Sequence, residues 1–261
     1  MKKNLYIYCS GGLGQEIAEY CKRIQEKYNR WNKIYYIDDV RQEKVFDGFE
    51  VFTYEEFKKI ADKENSEVVI ATGEPDARRL LFDKVDSDGY NFATIVAVTS
   101  IVEPSAKLGK GVVVAEFCHI STNAVLNENV FVNLHACVGH NCIIKKNVVV
   151  GPGVIIGGET TIGEDTYLAI GTSVKNAINV GSWCIAAMNS AIIHDVDCGK
   201  IVAGIPAKVI KDNIEHATNY LDFKLDFLKK DKNLNNMEDL IHYVKDVILS
   251  INAADDLTKE L

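Results

Sequence analysis

The sequence predicts an α/β plus β chain: a small domain built on a parallel sheet, then a parallel β-helix, then a helical extension. Three patterns carry that expectation. An apolar residue recurs at every sixth position from 102 to 198, and strands and helices alternate around glycine turns before residue 95. A helical apolar period returns near the C-terminus.

The six-residue period is the strongest of the three. It runs through Val102, Leu108, Val114, Ile120, Leu126 and Val132 and stays in register to Ile192 and Cys198. Glycine often follows, as at Gly109, Gly139, Gly151, Gly157 and Gly163, and a small or β-branched residue stands four positions after each aliphatic. A helix would scatter such a period around its surface, and an alternating strand would need more apolar positions. The period fits a triangular coil with one hexapeptide per side, about six coils stacked at roughly 4.8 Å. Cys118, Cys142 and Cys184 then fall at small inward positions and read as filler.

Residues 1–95 read as a Rossmann-like domain. N-L-Y-I-Y-C is a strand, S-G-G-L-G a turn, and Q-E-I-A-E-Y-C-K-R-I a helix. K-I-Y-Y-I-D-D and E-V-V-I-A-T-G are further strands, the latter leading into E-P-D-A-R-R-L-L. Ligands of such sheets sit at the strand ends. Gly11 and Gly14 fit two positions of G-x-G-x-x-G, with Cys9 in place of the first glycine. Glycines there let amides at a helix start approach a phosphate, and Asp38 is placed to meet a ribose or base. The alternative is a tight turn with solvated acids.

Composition narrows the function. A net charge of -8 argues against non-specific nucleic-acid binding. Seven cysteines without CxxC pairing suit a reducing compartment. The opening M-K-K-N-L-Y-I-Y-C-S-G-G-L-G reads as a strand entering a turn rather than a signal peptide. No apolar run approaches the roughly 20 residues of a membrane span. The expectation is a soluble, cytoplasmic protein that contacts neither nucleic acid nor membrane.

Residues 96–210, ending in V-A-G-I-P-A-K at Val202–Lys208, resemble the left-handed β-helix acyltransferases throughout. With the front domain, residues 4–210 resemble the bacterial sugar acetyltransferases that include sialic-acid O-acetyltransferases and UDP-4-amino-sugar N-acetyltransferases. That resemblance implies a front domain, 1–95, that binds the nucleotide sugar or sugar, and a catalytic β-helix, 96–210, that binds acetyl-CoA. Gly11, Gly12 and Gly14 meet the family's G-x-G-G-x-G turn. Asp38 and Asp39 meet its paired acids, and Gly73 and Arg78 its third-strand glycine and arginine. Leu13 departs, because many relatives carry histidine there.

His135 and His140 in V-N-L-H-A-C-V-G-H-N-C-I are the remaining question. Their H-x4-H spacing is similar to that of γ-class carbonic anhydrases, which hold a metal through three histidines. The third position here is Thr99, and His119 sits elsewhere in its hexapeptide, so no metal is expected. V-G-H-N fits the acetyltransferase motif at His140. The resemblance implies His140 as general base for direct attack on acetyl-CoA, with the Gly158 amide, one coil up, holding the oxyanion. Asn141 departs from the usual acid: it orients the ring without supplying charge. Val149 departs where some relatives have a histidine that contacts acetyl-CoA. His135 reads as a turn or interface residue.

For acetyl-CoA, the resemblance implies the groove between two prisms, with Ile170, Ala187, Met188, Gly204 and Lys208 as contacts and Lys211 beside them. It also implies a homotrimer and a role in bacterial surface glycan biosynthesis. Residues 211–261 read as a helical cap or a docking segment for a pathway enzyme, with Met237, Leu240, Ile241, Val244, Val247 and Ile248 on one face. The competing readings are an acyltransferase for another small acceptor and a non-catalytic trimeric sugar- or nucleotide-binding protein.

Overall fold

The structure, a computed structural model, describes residues 2–213. The front domain holds β1 (Asn4–Tyr8), α1 (Gly12–Tyr28), β2 (Ile34–Ile37), β3 (Val45–Phe46), β4 (Phe49–Phe52), α2 (Tyr54–Ile60), β5 (Ser66–Ile70), α3 (Pro75–Ser87) and β6 (Asn91–Phe92). The sheet order is β3-β4-β2-β1-β5-β6, parallel except for the β3–β4 hairpin. Central β1 is covered on both faces, which explains why Leu5–Tyr8 is apolar without alternation. α1 buries Ile17, Ala18, Cys21 and Ile24 at helical spacing and stops at Asn29, whose φ of 50° is a left-handed cap. A Cβ on Gly14 would lie 2.2 Å from the Cys9 carbonyl oxygen, so only glycine lets α1 start this close to β1.

From Ile95 the chain forms the expected β-helix. Face one stacks the rungs Ile95–Val96, Val113–Val114, Phe131–Val132, Val149–Val150, Tyr167–Leu168 and Ile185–Ala186. Face two stacks Ile101–Val102, His119–Ile120, Cys137–Val138, Ile155–Ile156, Ser173–Val174 and Ala191–Ile192. Face three stacks Lys107–Leu108, Val125–Leu126, Ile143–Ile144, Thr161–Ile162 and Asn179–Val180. Each rung pairs in parallel with the one eighteen residues later, as Val113 with Phe131 and Phe131 with Val149. From Val114 to Ile192 the six-period residue points inward and is buried, while Cys198 at the end of the series is half-buried.

The corners explain the polar letters between rungs. One residue per turn takes a left-handed φ: Phe117, Asn123, Asn129, His135, Asn141 and Asn147 in succession, all between 56° and 59°. Asparagine tolerates that region better than most residues, and stacking at eighteen-residue intervals lets the amides bond along the edge.

The outward residues of face one, Val113, Phe131 and Val149, are also buried, because the front domain lies on that face. A single apolar cluster runs from Ile7 and Ile17 into Val114 and Phe131. At the corner joining faces three and one, α3 is fastened by Arg78, which is fully buried. Its guanidinium donates to the Ile70 and Thr72 carbonyls at 2.9 Å and to Asn129 Oδ1 at 3.0 Å. Asn129 Nδ2 donates in turn to Asn147 Oδ1 at 2.7 Å, and Arg79 pairs with buried Asp165 one coil higher.

Strand Lys208–Asp212 folds back antiparallel on Lys200–Ala203 and closes face one. The helical extension expected over 211–261 lies outside the described residues apart from 211–213, where the chain finishes this strand. All seven cysteines are free. Cys118, Cys142 and Cys184 are buried, and burial pushes the Cys118 and Cys184 thiols up to about 11, as suits packing atoms rather than nucleophiles. No helix among the described residues is long and apolar enough to cross a membrane.

Asp165 gives the fold a pH dependence. Burial pushes its carboxyl up to about 7, with Arg79 opposing. An acid raised in the folded state lends stability that is full below its ordinary value near 3.8 and is lost as pH rises through 7. The urea midpoint of the wild type is therefore expected to fall from pH 5 to pH 8 more steeply than that of Asp165→Asn, measured by circular dichroism.

Candidate active site

The glycine turn between β1 and α1 is held by Asp38, which follows β2. Asp38 accepts from Ser10 N at 2.9 Å and Ser10 Oγ at 2.6 Å, and from the Val40 and Arg41 amides at 3.0 Å. Burial raises its carboxyl, but the hydrogen bonds from Ser10, Arg41 and Val40 outweigh it and leave the pKa below the ordinary value. Asp39 accepts from Tyr8 Oη at 2.8 Å and the Tyr54 amide at 2.7 Å, with Lys84 at 3.7 Å. Asp38 thus holds the turn, whereas Asp39 ties the end of β1 to the start of α2. Arg41, which the sequence reading passed over, donates through Nε to Ser10 Oγ at 2.5 Å and lies over the Phe46 ring at 3.5 Å.

Gly11 caps α1 and is exposed. Gly12 and Leu13 follow it into a cavity of about 350 Å³ between the front domain and the prism. Gly73 and Glu74, after β5, and Glu16 on α1 complete its upper wall. Phe131, Val149 and Tyr167 of face one, with Asn133, Gly151 and Pro152 of the corner joining faces one and two, form its floor. Leu13 and Val149, the two positions where relatives carry histidine, therefore meet in one place. Arg78 does not belong here. Its expected substrate contact is corrected by its complete burial and its four bonds to Ile70, Thr72 and Asn129.

The cavity opens onto an apolar ladder. Pro152, Ile170 and Met188 occupy one corner position in successive coils, with Ile170 48% and Met188 65% exposed. Ala187 sits beside Met188, its amide bonded to the Val202 carbonyl. Gly204, with φ 102°, and exposed Lys208 flank the strand return above.

His140 stands at a different corner, between Cys137–Val138 of face two and Ile143–Ile144 of face three. Its ring lies flat against Gly158, where an added Cβ would come within 2.5 Å of Nε2. The Gly158 amide donates no hydrogen bond among the described residues, which leaves an N–H beside the imidazole. Asn141 Nδ2 is 3.1 Å from His140 Nδ1, and Asn123 Nδ2 donates to Asn141 Oδ1 at 3.2 Å. The sequence-predicted residues thus fall into two groups: Gly12, Leu13, Gly73 and Ile170 at one corner, His140, Asn141 and Gly158 at the next.

His135 and His119 lie apart from this corner. His135 takes the corner conformation with φ 59° and stacks on Phe117, ring centroids 5.1 Å apart. His119 lies on face two, 3.3 Å from Glu103. Among the described residues no three His, Cys, Asp or Glu side chains are grouped to hold a metal.

Both halves of this arrangement have counterparts among known proteins. Residues 4–85 match the family model described as the PglD N-terminal domain. The chain is similar to the acetyltransferase domain of PglB from Neisseria gonorrhoeae FA1090 in complex with acetyl coenzyme A. Identity is 28% and the TM-score 0.75, over 80% of this chain and 100% of that one. It shares its fold with PerB from Caulobacter crescentus, solved with CoA and GDP-perosamine, at 20% identity and TM-score 0.72 over 80% and 97% of the two chains. It also shares its fold with WeeI from Acinetobacter baumannii AYE, at 19% identity and TM-score 0.62 over 80% and 100%. No curated protein matches the sequence. The front domain thus matches the PglD N-terminal domain family, and over 80% of its length the chain is similar to the PglB acetyltransferase domain.

The contact between His140 and Gly158 has a direct consequence. Gly158→Ala forces the imidazole off its seat, so a crystal structure of the variant is expected to show His140 in another rotamer. The thermal midpoint should fall by only a few degrees, since the ring is exposed.

Proposed function

We infer that this acetyl-CoA-dependent sugar acetyltransferase acetylates the amino group of a nucleotide-linked amino sugar, with His140 as general base in a site shared between subunits of a homotrimer. The observation that carries this reading is the separation of the two half-sites onto neighbouring corners of one prism. A second prism, related by threefold symmetry, supplies the missing wall. The outward residues Ile101 and Ile155 of face two, both more than half exposed, suit such a contact.

The cavity chemistry supports an amine acceptor. Among the described residues Glu16 and Glu74 line it and no lysine, arginine or histidine does, which favours an ammonium group. Leu13, Val149 and Phe131 offer an apolar wall for the unsubstituted edge of a sugar. The free amides at the start of α1 beside Gly11 and Gly12 suit a diphosphate. Acetyl-CoA, held by the related PglB domain, is assigned to the ladder of Pro152, Ile170 and Met188, with Lys208 for its phosphates.

In the reaction, the bound ammonium first loses one proton to solvent, and the neutral His140 imidazole then takes a second proton from the amine as its freed lone pair attacks the thioester carbonyl. The Gly158 N–H stabilises the tetrahedral oxyanion. Collapse expels the thiolate of CoA, which recovers the proton from the imidazolium. No residue is acylated. Free thiols and acetyl-CoA as donor suit a cytoplasmic protein.

The test is release of CoA thiol with a UDP-4-amino sugar as acceptor. Wild type is expected to turn over and His140→Ala to lose about 100- to 10,000-fold in kcat, the range for a positioned base. Thiol release unchanged in the variant rules out His140 as the base.

A further inference from the structure

We propose that Asn123 is a positioning residue: it sets the tautomer of His140 through the amide of Asn141. The proposal rests on His140 as the base, and its test separates failure of the two.

The geometry is a relay along one corner. Asn123 and Asn141 are eighteen residues apart, so they stack on the same edge, and both are held in the left-handed corner conformation at φ 58° and 56°. Asn123 Nδ2 donates to Asn141 Oδ1 at 3.2 Å. That contact turns the Asn141 Nδ2 toward His140, 3.1 Å from Nδ1. An amide NH₂ only donates, so Nδ1 must be the unprotonated nitrogen and the proton sits on Nε2. A base that works through Nε2 needs the opposite tautomer.

An acid beside the histidine has no such ambiguity, because it only accepts and always draws the proton to Nδ1. Two asparagines form a reversible relay instead. When both amides turn over, Nδ1–H donates to Asn141 Oδ1 and Asn141 Nδ2 donates to Asn123 Oδ1. The same two hydrogen bonds survive, and Nε2 is freed as base. Among the described residues no other side chain bonds the side chains of Asn123, Asn141 or His140. The nearest carboxylate along the edge is Glu159, one coil above Asn141, and among the described residues its side chain bonds neither Asn141 nor His140. Ser105, one coil below Asn123, accepts from the Asn123 backbone amide and leaves its side chain free to turn.

Asn123→Asp reverses the relay permanently. A carboxylate at 123 accepts only, so it holds Asn141 Nδ2 and turns Asn141 Oδ1 to His140. Aspartate also tolerates the left-handed corner, so the coil is kept. The experiment labels histidine with ¹⁵N and reads Nδ1 and Nε2 of His140, assigned by its loss in His140→Gln, in the intact oligomer. Wild type is expected to show a pyridine-like Nδ1 or an average of the two forms. Asn123→Asp should shift to a pyrrole-like Nδ1, with kcat raised roughly fivefold at unchanged KM, since hydrogen bonds to charged groups are stronger than neutral ones.

Asn141→Asp should give the same signature, and adding Asn123→Asp to it should bring no further gain. Identical ¹⁵N shifts in wild type and Asn123→Asp overturn the relay, whatever the kinetics. A shifted tautomer with unchanged kcat, in an enzyme still disabled by His140→Ala, overturns its catalytic importance. Full activity in His140→Ala overturns the base assignment and leaves the tautomer result standing.

Discussion

Parallel pairing of each two-residue rung with the rung eighteen residues later places residues i and i+18 on the same edge of the prism, and the site inherits that spacing. His140 meets Gly158 because they are one coil apart. Asn123 reaches Asn141, and Asn129 reaches Asn147, for the same reason. Pro152, Ile170 and Met188 form a continuous apolar strip by the identical rule. A ligand laid along an edge therefore meets a column of equivalent positions, and a change of one letter alters one step of the column without disturbing its neighbours.

The second constraint is how the front domain is seated. It covers face one and is pinned at the corner beyond, where Arg78 and Arg79 reach Asn129 and Asp165. With face one occupied, only faces two and three remain for other chains. The cavity opens at the edge shared by faces one and two, while the imidazole stands at the edge shared by faces two and three. The separation of half-sites thus follows from which face the front domain occupies.

Much of this was legible in the letters. The hexapeptide period gave the prism, its inward positions and the harmless role of the cysteines, and the glycine turn gave the start of α1. The motif around His140 could be placed because it repeats the local period. Contacts between residues far apart in sequence were not legible. Arg78 looked like a substrate contact, yet the bonds that bury it come from Asn129, fifty-one residues away, and from carbonyls whose direction no letter records. Glu16 and Glu74 sit on separate segments and became neighbours only once α1 and β5 were laid side by side on the prism. Asn141 was read as an orienting residue, but the direction of its amide depends on Asn123, one coil below.

The central claim, that one chain's cavity works with another chain's histidine, is tested most directly by hybrid oligomers. His140→Ala keeps the cavity and loses the base, while Leu13→Trp fills the cavity and keeps the base. Each is expected to be inactive alone. Co-expressed in equal amounts, they should recover about a quarter of wild-type thiol release per site, because one interface in four joins an intact cavity to an intact histidine. Hybrids that stay as inactive as their parents would place both half-sites within one chain and contradict the account.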